Sequence, residues 1–302
     1  MTSPPALLLI GHGTRDDEEA EAFRSLVRTL GERNPGLPVG GGFVELSTPP
    51  LADAVEELVA RHGARRFVAV PLALASAGQA GGGVRAALSR ATLRHPGTAY
   101  LYAPLGSRPA LLEALERRLD GALGDGRRSP SDRAATTVLL VGRGSTDPGG
   151  NAEVHRAARL LWEGRGYAGV ETAFVSLAAP DVPSGLDRCV RLGAKRVVVL
   201  PYFLFTGALP DRGRQQAEGW AEAHPRIDVR YADVIGRTPE LADLVMERYR
   251  EALDGDLRMS CDSCGYVIAL PGSDERTSPR HQRPEDPAHS HGHHHEGHAH
   301  SH

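Results

Sequence analysis

Ala6-Leu7-Leu8-Leu9-Ile10-Gly11-His12-Gly13-Thr14 returns later in the chain as Val138-Leu139-Leu140-Val141-Gly142-Arg143-Gly144-Ser145-Thr146. Each is a short apolar run, the pattern of a strand buried on both faces, ending on a polar residue flanked by glycines. The likeness extends outward from this pair. Phe43-Val44-Glu45-Leu46 returns as Phe174-Val175-Ser176-Leu177, each followed three residues later by a proline, Pro49 and Pro180. The stretch from Gly63 to Leu72 returns from Gly193 to Tyr202, His95-Pro96 returns as His224-Pro225, and Gly106 and Pro109 match Gly236 and Pro239. The spacing stays within 129–131 residues throughout. Chance does not hold a register over so many anchors, so the chain is a tandem duplication.

Within the first copy, strand patterns over 6–10, 39–45, 66–72 and 98–103 alternate with helical patterns. The helical patterns run from Asp16 to Leu30, Pro50 to Arg61, Val84 to Leu93 and Pro109 to Leu119. Ser47 or Thr48, ahead of Pro49-Pro50, reads as the cap of the second helix. The alternation predicts an α/β fold: two tandem homologous domains, each a small parallel sheet flanked by helices with right-handed crossovers. Residues 1–120 form the first expected domain, which carries the site, and 135–255 the second. Residues 121–134, rich in Gly, Ser, Pro and charge, read as a linker, and 256–302 as a flexible tail that cannot bury a core.

Composition narrows the function. The formal net charge of -3 and an aromatic content of 5% give neither a basic field nor a stacking platform for nucleic acid. The start of the chain has no cationic segment ahead of a long apolar one, and no apolar run reaches the ~18–20 residues that span a membrane, so a cytoplasmic protein is expected. Three cysteines make no disulfide framework.

In an open parallel sheet, ligands bind outside the carboxyl ends of the strands. That rule selects His12 after the first strand, Glu45 at the end of the second and Gln79 in the 75–83 loop after the third. An imidazole and a carboxylate converging on one edge can bind a divalent metal or move protons. The same residues also fit plainer roles: a loop histidine satisfied by backbone, a solvated carboxylate or one paired with an arginine, and a polar loop glutamine. A dinucleotide site is disfavoured, because GHGTRDDEEAEAF lacks the third glycine of the fingerprint and opens its helix with four acids. In the expected tail, Cys261 and Cys264 form a CxxC that can grip a metal or act as a redox dithiol. Cys189 reads as a small core residue. Beyond them lie His289, His291, His293, His294, His295, His298, His300 and His302, a run of imidazoles suited to cobalt, nickel, zinc or copper.

These residues resemble the class II tetrapyrrole chelatases over essentially the whole chain, and within them the long form of sirohydrochlorin cobaltochelatase. LLLIGHGTRD resembles the family's opening strand with its metal-binding catalytic histidine. FVELSTPPL resembles the second strand end, and PYFLFTG and LLVGRGSTDP resemble the second half. The His-rich segment and Met259-Ser260-Cys261-Asp262-Ser263-Cys264 resemble two rarer features of the long form. One departure stands out: Gln79 occupies the place where the family has a second histidine.

The resemblance implies insertion of Co2+ into sirohydrochlorin for cobalamin synthesis, with Fe2+ or Ni2+ as alternative metals. It implies His12 and Glu45 as catalytic residues, and His12, Glu45 and Gln79 as metal ligands. Arg15 and Arg143 would hold substrate carboxylates, with Arg85 and Arg212 as further candidates. The motif holding Cys261 and Cys264 is linked in the family to a [4Fe–4S] cluster, whose missing ligands would come from a homodimer or from a non-cysteine ligand. The other readings are a ferrochelatase making sirohaem and a cobalt- or nickel-binding storage or delivery protein without catalysis.

Overall fold

The computed structural model describes residues 4–74, 79–124, 129–236 and 238–255, with only the backbone of 79–82. Both copies lie in one compact unit, Met1–Ser260. The first copy contains β1 (Ala6–Gly11), α1 (Asp17–Arg33), β2 (Val39–Phe43), α2 (Leu51–His62), β3 (Arg66–Pro71), α3 (Gln79–Arg94), β4 (Ala99–Tyr102) and α4 (Pro109–Leu123). A short α5 (Pro130–Ala134) follows, inside the stretch expected to be a linker. The second copy contains β5 (Thr137–Gly142), α6 (Pro148–Trp162), β6 (Gly169–Phe174), α7 (Val182–Arg191), β7 (Arg196–Pro201), α8 (Ala208–Ala223), β8 (Asp228–Tyr231) and α9 (Pro239–Asp254). The strands form two parallel four-stranded sheets, ordered β2-β1-β3-β4 and β6-β5-β7-β8.

Each sheet is covered on both faces, which is why its central strands read as unbroken apolar runs. On the outer face of the first sheet, Leu8, Ile10 and Phe67 meet α2 and α3 through Leu51, Val55, Leu58 and Leu88. On the outer face of the second, Leu139 and Val199 meet α7 and α8 through Leu186, Cys189 and Trp220. The inner faces share one continuous core, in which Leu7 and Val68 of the first copy join Val138, Leu140 and Val198 of the second.

That shared core exists because the last helix of each copy crosses over. The α4 helix packs on β7 of the second sheet, and α9 packs on β3 and α1 of the first. Sequence repeat and packing unit therefore differ by one helix each. An arginine fixes each crossing. Arg248 of α9, only 1% exposed, donates through Nε to the Pro104 carbonyl at 2.7 Å and pairs with Glu251. Arg118 of α4 donates to the Ile235 carbonyl at 2.7 Å. These arginines are 130 residues apart, so the device is itself repeated. Tyr249 adds a hydrogen bond to the Pro5 carbonyl at 2.6 Å.

Two local expectations are corrected. The loop expected over 75–83 is helical from Gln79 onward, because α3 extends back through Gly81, Gly82 and Gly83. Glycines disfavour a helix by about 1 kcal/mol each, but Val84, Ala87, Leu88 and Ala91 anchor this one on the sheet. Neither Ser47 nor Thr48 caps α2: the helix starts at Leu51 after Pro50, and Thr48–Pro49 is cis. No helix among the described residues is long and apolar enough to cross a membrane.

If Arg248 anchors the crossed helix, Arg248→Met leaves the buried Pro104 carbonyl without its donor, while Glu251 keeps only its pairing with Arg108. Urea denaturation should then show a loss of about 2–3 kcal/mol. The surface substitution Arg61→Ala should stay within about 0.5 kcal/mol.

Candidate metal and substrate site

The site is built on backbone before side chains. Gly13 adopts φ +108°, and a Cβ there would stand 1.7 Å from the Glu45 carbonyl oxygen. Only glycine lets the chain after β2 lie across the end of β1. The strand β2 ends at Phe43, but its pairing continues, with Val44 N donating to Gly11 O at 2.9 Å and Glu45 N to His12 O at 3.1 Å. Ser47 clamps the crossing: its Oγ accepts from Thr14 N at 2.9 Å and donates to Thr14 O at 2.6 Å.

This crossing brings His12 Nε2 to 3.1 Å from Glu45 Oε1, with both side chains about half exposed. Two donors each about 2.1 Å from one cation, at tetrahedral or octahedral angles, stand roughly 3.0–3.4 Å apart. The observed spacing fits two ligands of one ion as well as a hydrogen bond. Among the described residues no cluster of three or more His, Cys, Asp or Glu forms. The pair sits beside the point between β1 and β3 where the strand order reverses. Gln79 is the first residue of α3 after that point, and its side chain lies outside the described residues.

The second copy repeats the backbone with other chemistry. Gly144 adopts φ +86°, and a Cβ there would stand 1.7 Å from the Ser176 carbonyl oxygen. Ser176 N donates to Arg143 O at 3.1 Å. A cation and a hydroxyl thus replace the imidazole and carboxylate.

The two edges meet. Asp16 Oδ1 caps α1, accepting from Glu18 N at 3.0 Å and Glu19 N at 3.2 Å. Its Oδ2 accepts from Ala208 N at 3.1 Å, at the start of α8 in the other copy. A Cβ on Gly207 would lie 3.3 Å from Glu19 Oε2. Burial pushes the Glu19 carboxyl up from its ordinary range, against the opposing pull of Thr14 and of the Arg143 charge. Sequence reading treated Asp16 and Glu19 only as helix-end acids. The D-x-x-E spacing of a capping box was the available signal, and the contact to the other copy had none.

The remaining candidates separate. Arg15 and Arg143 are both exposed on the loops after β1 and β5. Arg85 is engaged elsewhere, its guanidinium 5.6 Å from the centroid of the Tyr102 ring. The second copy repeats that stack with Arg214 over Tyr231 at 5.3 Å. Arg212 is exposed on α8. Cys189 is buried in the outer core, and burial pushes its thiol up to about 12, so it offers no thiolate to a cluster. Cys261, Cys264 and the histidines from His289 to His302 lie outside the described residues. A cavity of about 90 Å³ in the second copy, lined by Thr206, Asp211, Arg214 and Tyr231 among others, includes neither His12 nor Glu45.

The model of the CbiX family matches residues 6–122 and again 137–252, once per copy. The chain belongs to the CbiX family. It is 35% identical over 267 residues to a sirohydrochlorin cobaltochelatase of Priestia megaterium, covering 88% of this chain and 85% of that one. It is 31% identical over 216 residues to a sirohydrochlorin ferrochelatase of the same organism, covering 70% of this chain and 78% of that one. Among solved structures, SirB from Bacillus subtilis with Fe3+ superimposes with a TM-score of 0.70 at 25% identity, over 84% of this chain and 98% of that one. The family membership accounts for two parallel sheets in tandem, one per matched segment.

Two outcomes follow from this geometry. Gly13→Ala and Gly144→Ala should each cost at least about 2 kcal/mol in denaturant unfolding, because the new Cβ overlaps a carbonyl. Gly63→Ala, at φ +61° in open space, should cost about 1 kcal/mol. The raised Glu19 carboxyl binds its proton more tightly folded than unfolded, so its contribution is full below the ordinary carboxylate pKa and is lost as pH rises through the folded value. Thermal melts should show Glu19→Gln stabilising at pH 7, with the gain shrinking towards pH 3.

Proposed function

We propose that the chain is a sirohydrochlorin chelatase that exchanges two pyrrole protons for one divalent metal ion, with Co2+ as its metal. The observation that carries this reading is the His12–Glu45 pair, two donors at metal-ligand spacing on an open sheet edge. Two protein ligands suit an ion that must be handed on, since the open positions can be filled by the nitrogens of the macrocycle. Gln79 would add a neutral carbonyl oxygen but cannot act as a base.

In this reading His12 Nε2 binds the incoming ion. Glu45 is the second ligand and, through its free oxygen, the acceptor of the two pyrrole protons in turn, each passed on to solvent from its exposed carboxylate. One imidazole nitrogen cannot hold a metal and a proton together, so the two duties fall on two residues. Sirohydrochlorin is ringed with carboxylates, and Arg15 and Arg143 would hold them. With Arg143 and Ser176 where the first copy has His12 and Glu45, each chain has one metal site. Cobalt is supported by the cobaltochelatase relative, at 35% identity against 31% and 27% for two ferrochelatase relatives. The imidazole-rich segment from His289 to His302 would serve as a metal reservoir.

The test is an anaerobic assay of metal-free sirohydrochlorin with Co2+, Fe2+ and Ni2+, read by the change in tetrapyrrole absorbance. The expected order places Co2+ first. His12→Ala should lose at least roughly 100-fold in kcat/KM. Arg143→Ala should raise KM about tenfold with kcat nearly unchanged. Deleting 281–302 should leave turnover intact at saturating metal. Full activity in His12→Ala would remove the site assignment. Tail-dependent metal binding without turnover would favour storage or delivery instead.

A further inference from the structure

Leu46 and Leu177 are the only non-glycine residues among those described with a left-handed backbone, at φ +63° and +62°. A γ-branched apolar residue gains nothing from that conformation, in which Cβ crowds its own backbone and which glycine or asparagine adopts at less cost. Both leucines are also exposed, 58% and 66%. Two penalties thus fall on the same residue, and the duplication has kept them in both copies, 131 residues apart.

Their placement supplies a reason. Leu46 follows Glu45, whose carboxylate meets His12. Leu177 follows Ser176, whose backbone holds Arg143. The left-handed turn leaves each leucine side chain out of the core, on the carboxyl edge of its own sheet. Those edges face each other, as the Asp16 to Ala208 hydrogen bond shows. Of the other exposed large apolar residues, Leu93, Trp162, Leu192 and Leu253 lie on or at the ends of helices, and Leu101 lies on the edge strand β4.

We infer that Leu46 and Leu177 are substrate-binding residues: one apolar contact from each copy, laid on the flat face of the tetrapyrrole while the arginines take its charged rim. The proposal rests on the chelatase reading. It adds to that reading a specificity element in the second copy, where Arg143 and Ser176 stand in place of His12 and Glu45. A planar, largely apolar macrocycle face is the ligand surface that two exposed leucines match, and burying each against it recovers the hydrophobic contribution forgone in the free protein.

The test uses the full chain. Asparagine tolerates the left-handed region and removes the apolar surface, while methionine keeps it. Leu46→Asn and Leu177→Asn should each weaken binding of metal-free sirohydrochlorin roughly tenfold, titrated by absorbance, with Tm no lower than wild type. The double variant should compound the losses, and Leu46→Met with Leu177→Met should bind within about threefold of wild type. Cobalt binding to the apoprotein, measured by calorimetry with the 281–302 segment deleted, should not change in any of them. Unchanged tetrapyrrole affinity in the asparagine variants, with a wild type that turns over, would overturn this inference alone. So would lost affinity accompanied by a lower Tm. A wild type that neither binds nor turns over sirohydrochlorin would overturn the chelatase reading and this inference with it.

Discussion

The exchange of the last helix between the two copies is the constraint on which the rest of the molecule depends. A four-stranded parallel sheet needs apolar cover on both faces, and each copy covers only one and a half faces of its own sheet. The inner face is completed by α9 for the first sheet and by α4 for the second. The buried Arg248 and its counterpart Arg118 fix those helices by hydrogen-bonding carbonyls in the crossover segments. Because the inner cores merge, the carboxyl edges of the two sheets are set against each other. The Asp16 to Ala208 hydrogen bond, between the loops that follow β1 and β7, is a consequence of that packing.

On this common frame the copies have diverged in chemistry while keeping their backbone constraints. Gly13 and Gly144 both allow a neighbouring carbonyl to approach where a Cβ would sit, and Leu46 and Leu177 share one left-handed conformation. What changed is what the frame displays: imidazole with carboxylate in one copy, guanidinium with hydroxyl in the other. The two edges are therefore alike in backbone and unlike in chemistry, the asymmetry on which the proposed single metal site rests.

Much of this was legible in the sequence for definable reasons. Strands buried on both faces leave apolar runs, and a repeat spacing held within 129–131 residues exposes a duplication, so the two sheets and their order along the chain could be read. That His12 and Glu45 meet could be read because both follow strands that end on one edge of a parallel sheet. The helix exchange was not legible, since amphipathic periodicity shows that α4 and α9 bury one face but not which sheet receives it. The early start of α3 was hidden by Gly81, Gly82 and Gly83. The burial of Glu19 depends on the other copy's Gly207, a contact no local pattern encodes. Arg85 illustrates the converse: a charge that read as a candidate rim ligand is engaged by Tyr102 in a stack both copies share.

The central claim is that one chain carries one metal-handling edge, made by His12 and Glu45, inside a cleft built by both copies. Anomalous diffraction at the cobalt edge, from crystals of the chain without residues 281–302 soaked in Co2+, tests it most directly. The account predicts a single peak within about 2.2 Å of both His12 Nε2 and a Glu45 carboxylate oxygen, with none beside Arg143 or Ser176. A peak on the second copy's edge, or ordered cobalt bound elsewhere with His12 and Glu45 left bare, would contradict it.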